Sequence, residues 1–174
     1  MTISATRIII GNAFAVLQYL AYVYAYYRYN EKTKVIVGDI VSCSFAVIAN
    51  LILGAIGGVV TMVVGLLSLI AIYYKEKLNK DWLPVFVALS VLFLFTFSEW
   101  RGLATLLLVF SQFLVMTSKW FCKRVQLIRL GGLIGNLTII PYNLIVMNYV
   151  GCIIATLNII SLSISLLKWK TAEE

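Results

Sequence analysis

Apolar residues run along this chain in seven long stretches, and the short segments between them hold most of the charged side chains. Each stretch is close to the ~20 residues that an α-helix needs to cross ~30 Å of hydrocarbon. The pattern predicts seven transmembrane helices, numbered here as spans 1 to 7. Their bounds are about Ile8–Tyr27, Val35–Gly54, Ile56–Tyr74, Leu83–Ser98, Gly102–Ser118, Val125–Met147 and Val150–Leu167.

The chain also repeats itself at an offset of 93 residues, so that Ala49–Lys77 aligns with Tyr142–Lys170 without a gap. Polar and glycine identities matter most, because apolar identities are common in so hydrophobic a chain. They are Asn50/Asn143, Gly58/Gly151, Ser68/Ser161, Lys75/Lys168 and Lys77/Lys170, with Gly38/Gly131 upstream and Gln18/Gln112 at an offset of 94. A repeat of this length in a membrane chain predicts two similar helical bundles.

Spans 1 to 3 correspond to spans 5 to 7, and span 4 has no counterpart. This predicts an all-α membrane fold of seven transmembrane helices, with a three-helix repeat over residues 1–78, a linker helix over 79–99 and a second three-helix repeat over 100–174. Four crossings separate span 1 from span 5, so both repeats enter the membrane from the same side. Parallel repeats of this kind are related by an axis along the membrane normal.

The composition agrees with a chain that is buried in lipid. Hydrophobic residues make up 62% of it and charged residues 12%, and the mean hydropathy is +0.99. A soluble domain carries about twice that share of charge. We therefore expect a multi-pass membrane protein whose first partner is the lipid bilayer.

The basic residues predict the orientation. Eleven Lys and Arg residues lie in the segments that follow spans 1, 3, 5 and 7, whereas the segments on the other side hold Arg7 and Arg101. Cytoplasmic segments are enriched in Lys and Arg, so the N-terminus is expected outside and the C-terminus in the cytoplasm. The net charge of +7 is explained by this bias and by anionic headgroups, and it does not require a nucleic-acid partner.

Catalysis and metal binding find little support in the sequence. The chain has no histidine, which is the commonest general base and transition-metal ligand. Cys43, Cys122 and Cys152 lack metal-ligand spacing, and no catalytic or nucleotide-binding motif is present. We expect no enzyme activity, no cofactor and no metal.

Aromatic residues gather at the predicted span ends, which is typical of the belts that anchor membrane proteins at the interface. They are Tyr26, Tyr27, Tyr29, Trp82, Trp100, Trp120 and Trp169. Glycines at small-x-x-x-small spacing, Gly54/Gly58 and Gly131/Gly135, predict close approach between helices.

Amide side chains inside the predicted spans are the candidates for a solute route. On span 6, Arg129, Asn136 and Asn143 share one helical stripe, and Asn50 is the repeat equivalent of Asn143. The alternative is that such amides only form hydrogen bonds between packed helices, at ~0.6–2 kcal/mol each. The candidate route residues are Gln18, Asn50, Gln112, Asn136, Asn143 and Asn158.

Two charges lie within the spans, Asp39 on span 2 and Arg129 on span 6. Each is five residues, or ~7–8 Å along the axis, from the last basic residue that precedes it. We predict that both point inward at matched depth, where they could pair as a gate near the cytoplasmic mouth. The alternative is that the two side chains snorkel towards the interface.

The parallel arrangement of three, one and three helices, with the N-terminus outside, resembles the layout of SWEET sugar transporters and of PnuC-type vitamin-precursor transporters. In detail the chain resembles the YgjV family of bacterial inner-membrane proteins. That resemblance rests on Gln18, on the basic turn "RYNEKTK" and on "FAVIANLILGAIGGVVTMVVGLLS". It implies a fold distantly related to the SWEET fold and a location in the inner membrane.

These observations favour a transporter or facilitator that passes a small polar solute by alternating access between its two repeats. The alternative is a membrane receptor or scaffold that keeps the same fold with a packed centre and moves nothing. A polar cavity at the level of Asn50, Gln112 and Asn143 would distinguish the transporter from the scaffold. The sequence leaves the solute, the coupling ion and the oligomeric state open.

Overall fold

The computed structural model of the protein describes residues 5–54, 56–78, 103–145 and 149–170. Over these residues the fold is all-α, as expected. The helices are α1 (Ala5–Arg28), α2 (Lys32–Leu53), α3 (Ile56–Leu78), α4 (Leu103–Phe121), α5 (Val125–Ile145) and α6 (Tyr149–Lys170). Spans 1, 2, 3, 5, 6 and 7 therefore correspond to helices α1 to α6. Span 4 and the linker over 79–99 lie outside the described residues.

Several helices extend beyond the predicted spans at their basic ends. Helix α3 continues four residues past Tyr74, and α4 continues to Phe121, three residues past the predicted end of span 5. Among the described residues, three segments are long and apolar enough to cross a membrane: Ala5–Arg28, Lys32–Leu53 and Gly151–Trp169. The full count of seven spans stays a prediction.

Neighbouring helices along the chain also pack against each other. Helix α2 lies between α1 and α3, and α5 lies between α4 and α6. Helix α6 returns to contact α1, and a smaller contact joins α3 to α4. The helices α1–α3, called here the first triplet, thus meet α4–α6, the second triplet, at two separate seams.

Glycines allow the closest helix contacts. A Cβ atom at Gly131 would overlap the side chain of Ser118, and one at Gly135 would overlap that of Val115. The predicted close approach at these two glycines is confirmed. Gly54 behaves differently: it ends α2 in a left-handed conformation with φ of 71°, and a Cβ there would meet nothing within 4 Å. The packing role predicted for Gly54 is wrong, because the turn needs its left-handed backbone.

The buried core lies at the basic end of the bundle, where α1 ends and α5 begins. Its members are Tyr26, Val35, Val125, Ile128 and Leu162, which come from four helices. Tyr26 was predicted to belong to the interfacial belt, but its side chain is fully buried. Its hydroxyl has a hydrogen-bond partner inside the protein, so it need not face the interface.

Contacts within each triplet recur at positions 93 residues apart. Gly38 packs against Ala25 on α1, and Gly131 packs against Ser118 on α4, which is the equivalent pair. A hydrogen bond joins the next turn of each pair of helices. Ser42 Oγ donates to the backbone oxygen of Gln18 at 2.9 Å, and Ser111 Oγ donates to that of Gly135 at 2.7 Å. The positions are equivalent, with donor and acceptor exchanged between the helices.

Contacts between the triplets recur at the same offset. The Lys75 ammonium on α3 donates to the backbone oxygen of Trp120 on α4 at 3.3 Å. The Lys168 ammonium on α6 donates to the backbone oxygen of Tyr27 on α1 at 3.2 Å. Each ammonium also lies over the ring of the same residue, at 5.8 Å and 3.5 Å from its centroid. We call these two contacts the lysine latches.

Candidate functional site

A buried ion pair joins the two triplets. The Lys119 ammonium on α4 lies 2.7 Å from Asp39 Oδ2 on α2, and the two side chains are only 6% and 4% exposed. The Tyr26 hydroxyl donates a second hydrogen bond to the same carboxylate oxygen, at 3.0 Å. Charges withdrawn from water are tolerated when they are paired and hydrogen-bonded in this way. Asp39 therefore points inward, as predicted.

Lys119 is one of the residues that sequence reasoning missed, together with Tyr22 and Tyr26. It was counted with the basic loop after span 5, but α4 continues past it to Phe121, so it lies inside the helix. The repeat offered a signal, because Lys119 stands 93 residues after Tyr26. Both residues contact Asp39, one from each triplet.

Arg129 is fully buried and binds the carboxyl end of α1. Its Nη2 donates to the backbone oxygens of Tyr26 at 2.9 Å and Tyr29 at 2.7 Å, and its Nη1 donates to Asn30 Oδ1 at 3.0 Å. The last carbonyls of a helix lack intrahelical donors and carry partial negative charge, so a cation is stabilised there. Arg129 thus points inward as predicted, and it fastens α5 to α1.

Asp39 and Arg129, the two charges predicted within the spans, both contact Tyr26. Tyr26 donates from its hydroxyl to Asp39 and accepts at its backbone oxygen from Arg129. The ion pair to Asp39 comes from Lys119. A gating role for Asp39 and Arg129 stays a prediction.

A second polar contact joins α5 to α6 deeper in the bundle. Asn158 Nδ2 donates to Asn136 Oδ1 at 3.3 Å, and Asn136 Nδ2 donates to its own helix at the Gly132 oxygen, at 2.8 Å. The Tyr22 hydroxyl lies beside α5, within electrostatic reach of the Tyr26 and Asn136 side chains. The tyrosine rings lie 4.5 Å apart.

These contacts connect into one line of polar groups, which we call the central polar chain. It runs across both triplets and uses helices α4, α2, α1, α5 and α6 in turn. Its members are Lys119, Asp39, Tyr26, Tyr22, Asn136 and Asn158.

One face of α6 carries buried polar atoms that have no hydrogen-bond partner within the described part of the chain. They are Asn158 Oδ1, Ser165 Oγ and Trp169 Nε1. Spacings of seven and four residues place them on one side of a helix. The row covers about 16 Å along the axis, from the middle of α6 to its basic end. The Arg129 guanidinium lies 5.6 Å from the Trp169 ring centroid, so the row ends beside a cation.

The other predicted route residues lie elsewhere on these helices. Asn143 is buried, and Gln18 and Gln112 are half-buried. Asn50 Nδ2 donates to the Ala46 oxygen of its own helix at 2.8 Å. Of the six candidates, the structure thus brings Asn136 and Asn158 into contact.

The arrangement offers many hydrogen-bond donors and acceptors. Within the described ranges, His, Cys, Asp and Glu side chains form no group of three or more that could hold a metal ion. Amides, hydroxyls and an indole N–H can bind and release a polar molecule by hydrogen bonds alone.

Comparison with known families matches this chain, over residues 9–173, to Imp-YgjV, described as bacterial inner membrane protein. Comparisons with curated proteins and with solved structures find no match. The resemblance to the YgjV family is confirmed, while the more distant likeness to SWEET and PnuC-type transporters stays an expectation. The chain belongs to the Imp-YgjV family of bacterial inner membrane proteins.

Proposed function

We propose that this protein passes a small polar solute, neutral or weakly charged, across the bacterial inner membrane. The proposed mechanism is alternating access between two three-helix repeats joined by a linker helix, with the N-terminus outside and the C-terminus in the cytoplasm. The observation that carries the proposal is the row of buried polar atoms on α6, at Asn158, Ser165 and Trp169, which have no hydrogen-bond partner among the described residues.

A row of this kind is costly in a centre that only holds helices together. A buried polar group without a partner costs ~1–3 kcal/mol, and most such groups are satisfied by protein or by water. Apolar residues would fill the same positions in a packed scaffold at no such cost. Water or a passing solute that binds Asn158 and Ser165 removes the penalty, which favours a route along this face of α6.

The recurring contacts support two repeats that move against each other. A two-fold axis along the membrane normal exchanges the triplets, and it converts the contact of Lys75 with Trp120 into that of Lys168 with Tyr27. Latches at the helix ends are near the surface, where cation contacts are weak. Rocking of one triplet on the other would break both latches and open the basic end.

The ion pair would be the stronger restraint on this movement. Asp39 and Lys119 belong to different triplets and are buried together. Separation of a buried pair costs ~3–5 kcal/mol unless other partners replace it. We propose that Tyr26, which already bonds to Asp39, keeps that carboxylate satisfied when Lys119 moves away.

Cysteine accessibility tests the route without knowledge of the solute. Asn158→Cys and Ser165→Cys are made in a background with the natural cysteines replaced, and membranes are treated with a small, charged methanethiosulfonate reagent. Ile160→Cys and Ile164→Cys serve as controls, because these neighbours are exposed on the opposite, lipid-facing side of α6. Only a thiolate in contact with water reacts, so we expect modification at 158 and 165 at least about tenfold faster than at the controls.

Equal and slow reaction at all four positions, in folded protein, would contradict the route. It would favour the alternative, a receptor or scaffold with a packed centre. The observation that supports this alternative is the packed cluster at the basic end, which includes the buried Tyr26, Ile128 and Leu162. Uptake by reconstituted vesicles of a panel of small neutral polar solutes, with Ser165→Leu as the blocked variant, then distinguishes transport from a water-filled cavity that leads nowhere.

A further inference from the structure

An open groove of about 620 Å³ lies on the outside of α2, between α1 and α3. Its floor is made of small residues, Ala21, Ala25 and Gly38, where α1 and α2 are in close contact. Tyr24 and Tyr73 form its walls. The groove faces away from the buried Asp39, and it is separate from the central polar chain.

One end of the groove is polar and cationic. Lys34 and Tyr29 lie there, and the Lys34 ammonium is 5.9 Å from the Tyr29 ring centroid. The ammonium also pairs with Glu31 at 2.7 Å, but both side chains are more than half exposed, and such pairs are weak. The Tyr29 ring is in edge-to-face contact with that of Tyr24, and its phenol hydroxyl is a hydrogen-bond donor.

The other end of the groove reaches into the apolar part of the helices. Val41 lines it seven residues after Lys34, which is about 10 Å further along α2. A cation at the end of a helix, followed by an apolar groove, complements a phospholipid: the headgroup phosphate faces the cation, and the acyl chain follows the apolar part.

The equivalent face of the second triplet lacks some of these features. Positions 93 residues after Ala21, Lys34 and Tyr73 are Leu114, Leu127 and Leu166. Leu127 provides no cation, and Leu114 fills one of the three floor positions, while the other two floor positions stay small as Ser118 and Gly131. The cation and the open floor position at Ala21 therefore belong to the first triplet and do not follow from the shared helix packing.

We propose that this groove binds one phospholipid with an anionic headgroup, whose phosphate contacts Lys34 and Tyr29 and whose acyl chain lies over Gly38 and Ala25. Charge complementarity selects an anionic headgroup over a zwitterionic one. The apolar length of the groove selects a lipid over a free anion.

Native mass spectrometry of the purified, delipidated full chain tests this site with two probes, phosphatidylglycerol and phosphatidylcholine of equal chain length. We expect one phosphatidylglycerol to bind at least about fivefold more tightly than phosphatidylcholine, as one lysine at the headgroup level implies. Lys34→Leu, which installs the residue of the equivalent position, should remove that preference. Lys123→Leu, in the exposed turn before α5, is the matched control and should keep it.

A second variant tests the acyl-chain part. Ala21→Leu fills the floor with the residue that the equivalent position already carries, and it should weaken both lipids together. Unchanged helical content by circular dichroism shows that each variant is folded. Equal binding of the two lipids by the natural chain, or equal loss in the Lys34 and Lys123 variants, would overturn the proposal. Displacement of the lipid by inorganic phosphate alone would overturn it too, since it would indicate a site for free anions.

Discussion

The first and second triplets share their close helix contacts but differ in the side chains at the centre. Gly38 and Gly131 occupy equivalent positions, and each packs against the first helix of its own triplet. One residue further along, the first triplet has Asp39 and the second has Gly132. The carboxylate has no counterpart, although the backbone around it is matched.

Deeper in the bundle the triplets also differ, but there the second triplet carries the polar residues. Asn136 and Asn158 form a hydrogen bond in the second triplet, and their equivalents in the first are Cys43 and Gly65. A Cβ at Gly65 would lie 3.7 Å from Cys43 Sγ, so the two positions are neighbours in both triplets. Small residues maintain the same helix packing in both triplets. The polar side chains at the centre differ, because each occurs in one triplet only.

The largest expected effect comes from the charge that only the first triplet carries. Lys119→Met leaves the buried Asp39 carboxylate without its cation, and should lower the free energy of unfolding by ~3–5 kcal/mol. The measurement is reversible unfolding in mixed detergent micelles.

The double variant Asp39→Asn with Lys119→Met removes both charges and should recover most of that loss. Lys34→Met is the control, because it and its partner Glu31 are both more than half exposed. Its loss should be about 1 kcal/mol or less. Similar losses for Lys119→Met and Lys34→Met would show that burial of the Asp39 pair has no energetic role.

A smaller effect is expected at the shared glycines, and there the triplets should agree. Gly38→Ala and Gly131→Ala each force a methyl group into the facing helix, at Ala25 and Ser118, and should cost ~1–3 kcal/mol. The facing atoms belong to short, rigid side chains, so the helices themselves must separate. Unfolding of both variants under the same conditions measures the two costs.

Compensation makes this test specific. Ala25→Gly should rescue Gly38→Ala, and Ser118→Gly should rescue Gly131→Ala. Gly65→Ala is the control, since its added methyl group would be in ordinary contact with Cys43. It should be neutral or slightly stabilising. If only one glycine is sensitive, the packing of the two triplets differs more than their contacts indicate.

The matched hydroxyls should have a smaller effect again. Ser42→Ala and Ser111→Ala each remove one hydrogen bond between helices, and each should cost about 1 kcal/mol. Ser44→Ala is the control, because its hydroxyl donates to Ile40 on its own helix. A cost at Ser44 equal to the other two would assign the effect to the hydroxyl rather than to the contact between helices.

The smallest effect on stability is expected at the lysine latches. There the quantity to measure is the distance between spin labels placed on the two triplets. Lys75→Met and Lys168→Met should each cost less than about 1 kcal/mol. Each should broaden the distance between spin labels across its own seam. The labelled pairs are Tyr74 with Phe121 and Leu167 with Arg28, which are exposed and occupy equivalent positions.

Equal broadening at the two seams would support a two-fold relation between the triplets. Broadening at one seam only would mean that one seam acts as a fixed hinge. If neither substitution changes the distances between the labels, the proposal that the latches hold the basic end closed is contradicted.

The sequence predicted the helices well because their signal is local. Apolar stretches of the right length identify helices whatever they pack against, and the six described helices lie where spans were expected. The contact partners of individual side chains were harder to predict from the sequence. The sequence predicts that Asp39 and Arg129 both point inward and allows them to pair, but the cation that reaches Asp39 is Lys119 on helix α4. Which cation reaches a carboxylate depends on helix ends, and these are the least certain part of a pattern.

Residue type also misled where one residue serves two roles. Tyrosine at the end of a span is usually an interfacial anchor, yet Tyr26 is buried because Asp39 gives its hydroxyl a partner. Among the described residues Ser165 Oγ and Trp169 Nε1 have no partner, but their sequence signal was weak, since serine in a membrane helix commonly bonds to its own backbone and tryptophan at a span end is commonly an interfacial anchor. Only the packing of the neighbouring described helices shows that these two side chains are buried without a hydrogen-bond partner.

The ion pair between Asp39 and Lys119 also has a consequence for biosynthesis. Lys119 follows Asp39 by 80 residues, so at ~5–20 residues per second it leaves the ribosome about 4–16 s later. During that interval the carboxylate enters the bilayer with Tyr26, from the helix made just before it, as its available partner. Membrane insertion of α2 is therefore provisional until α4 is made. Nascent chains that end before Lys119 should be extracted from the membrane, or degraded, more readily than chains that end after it.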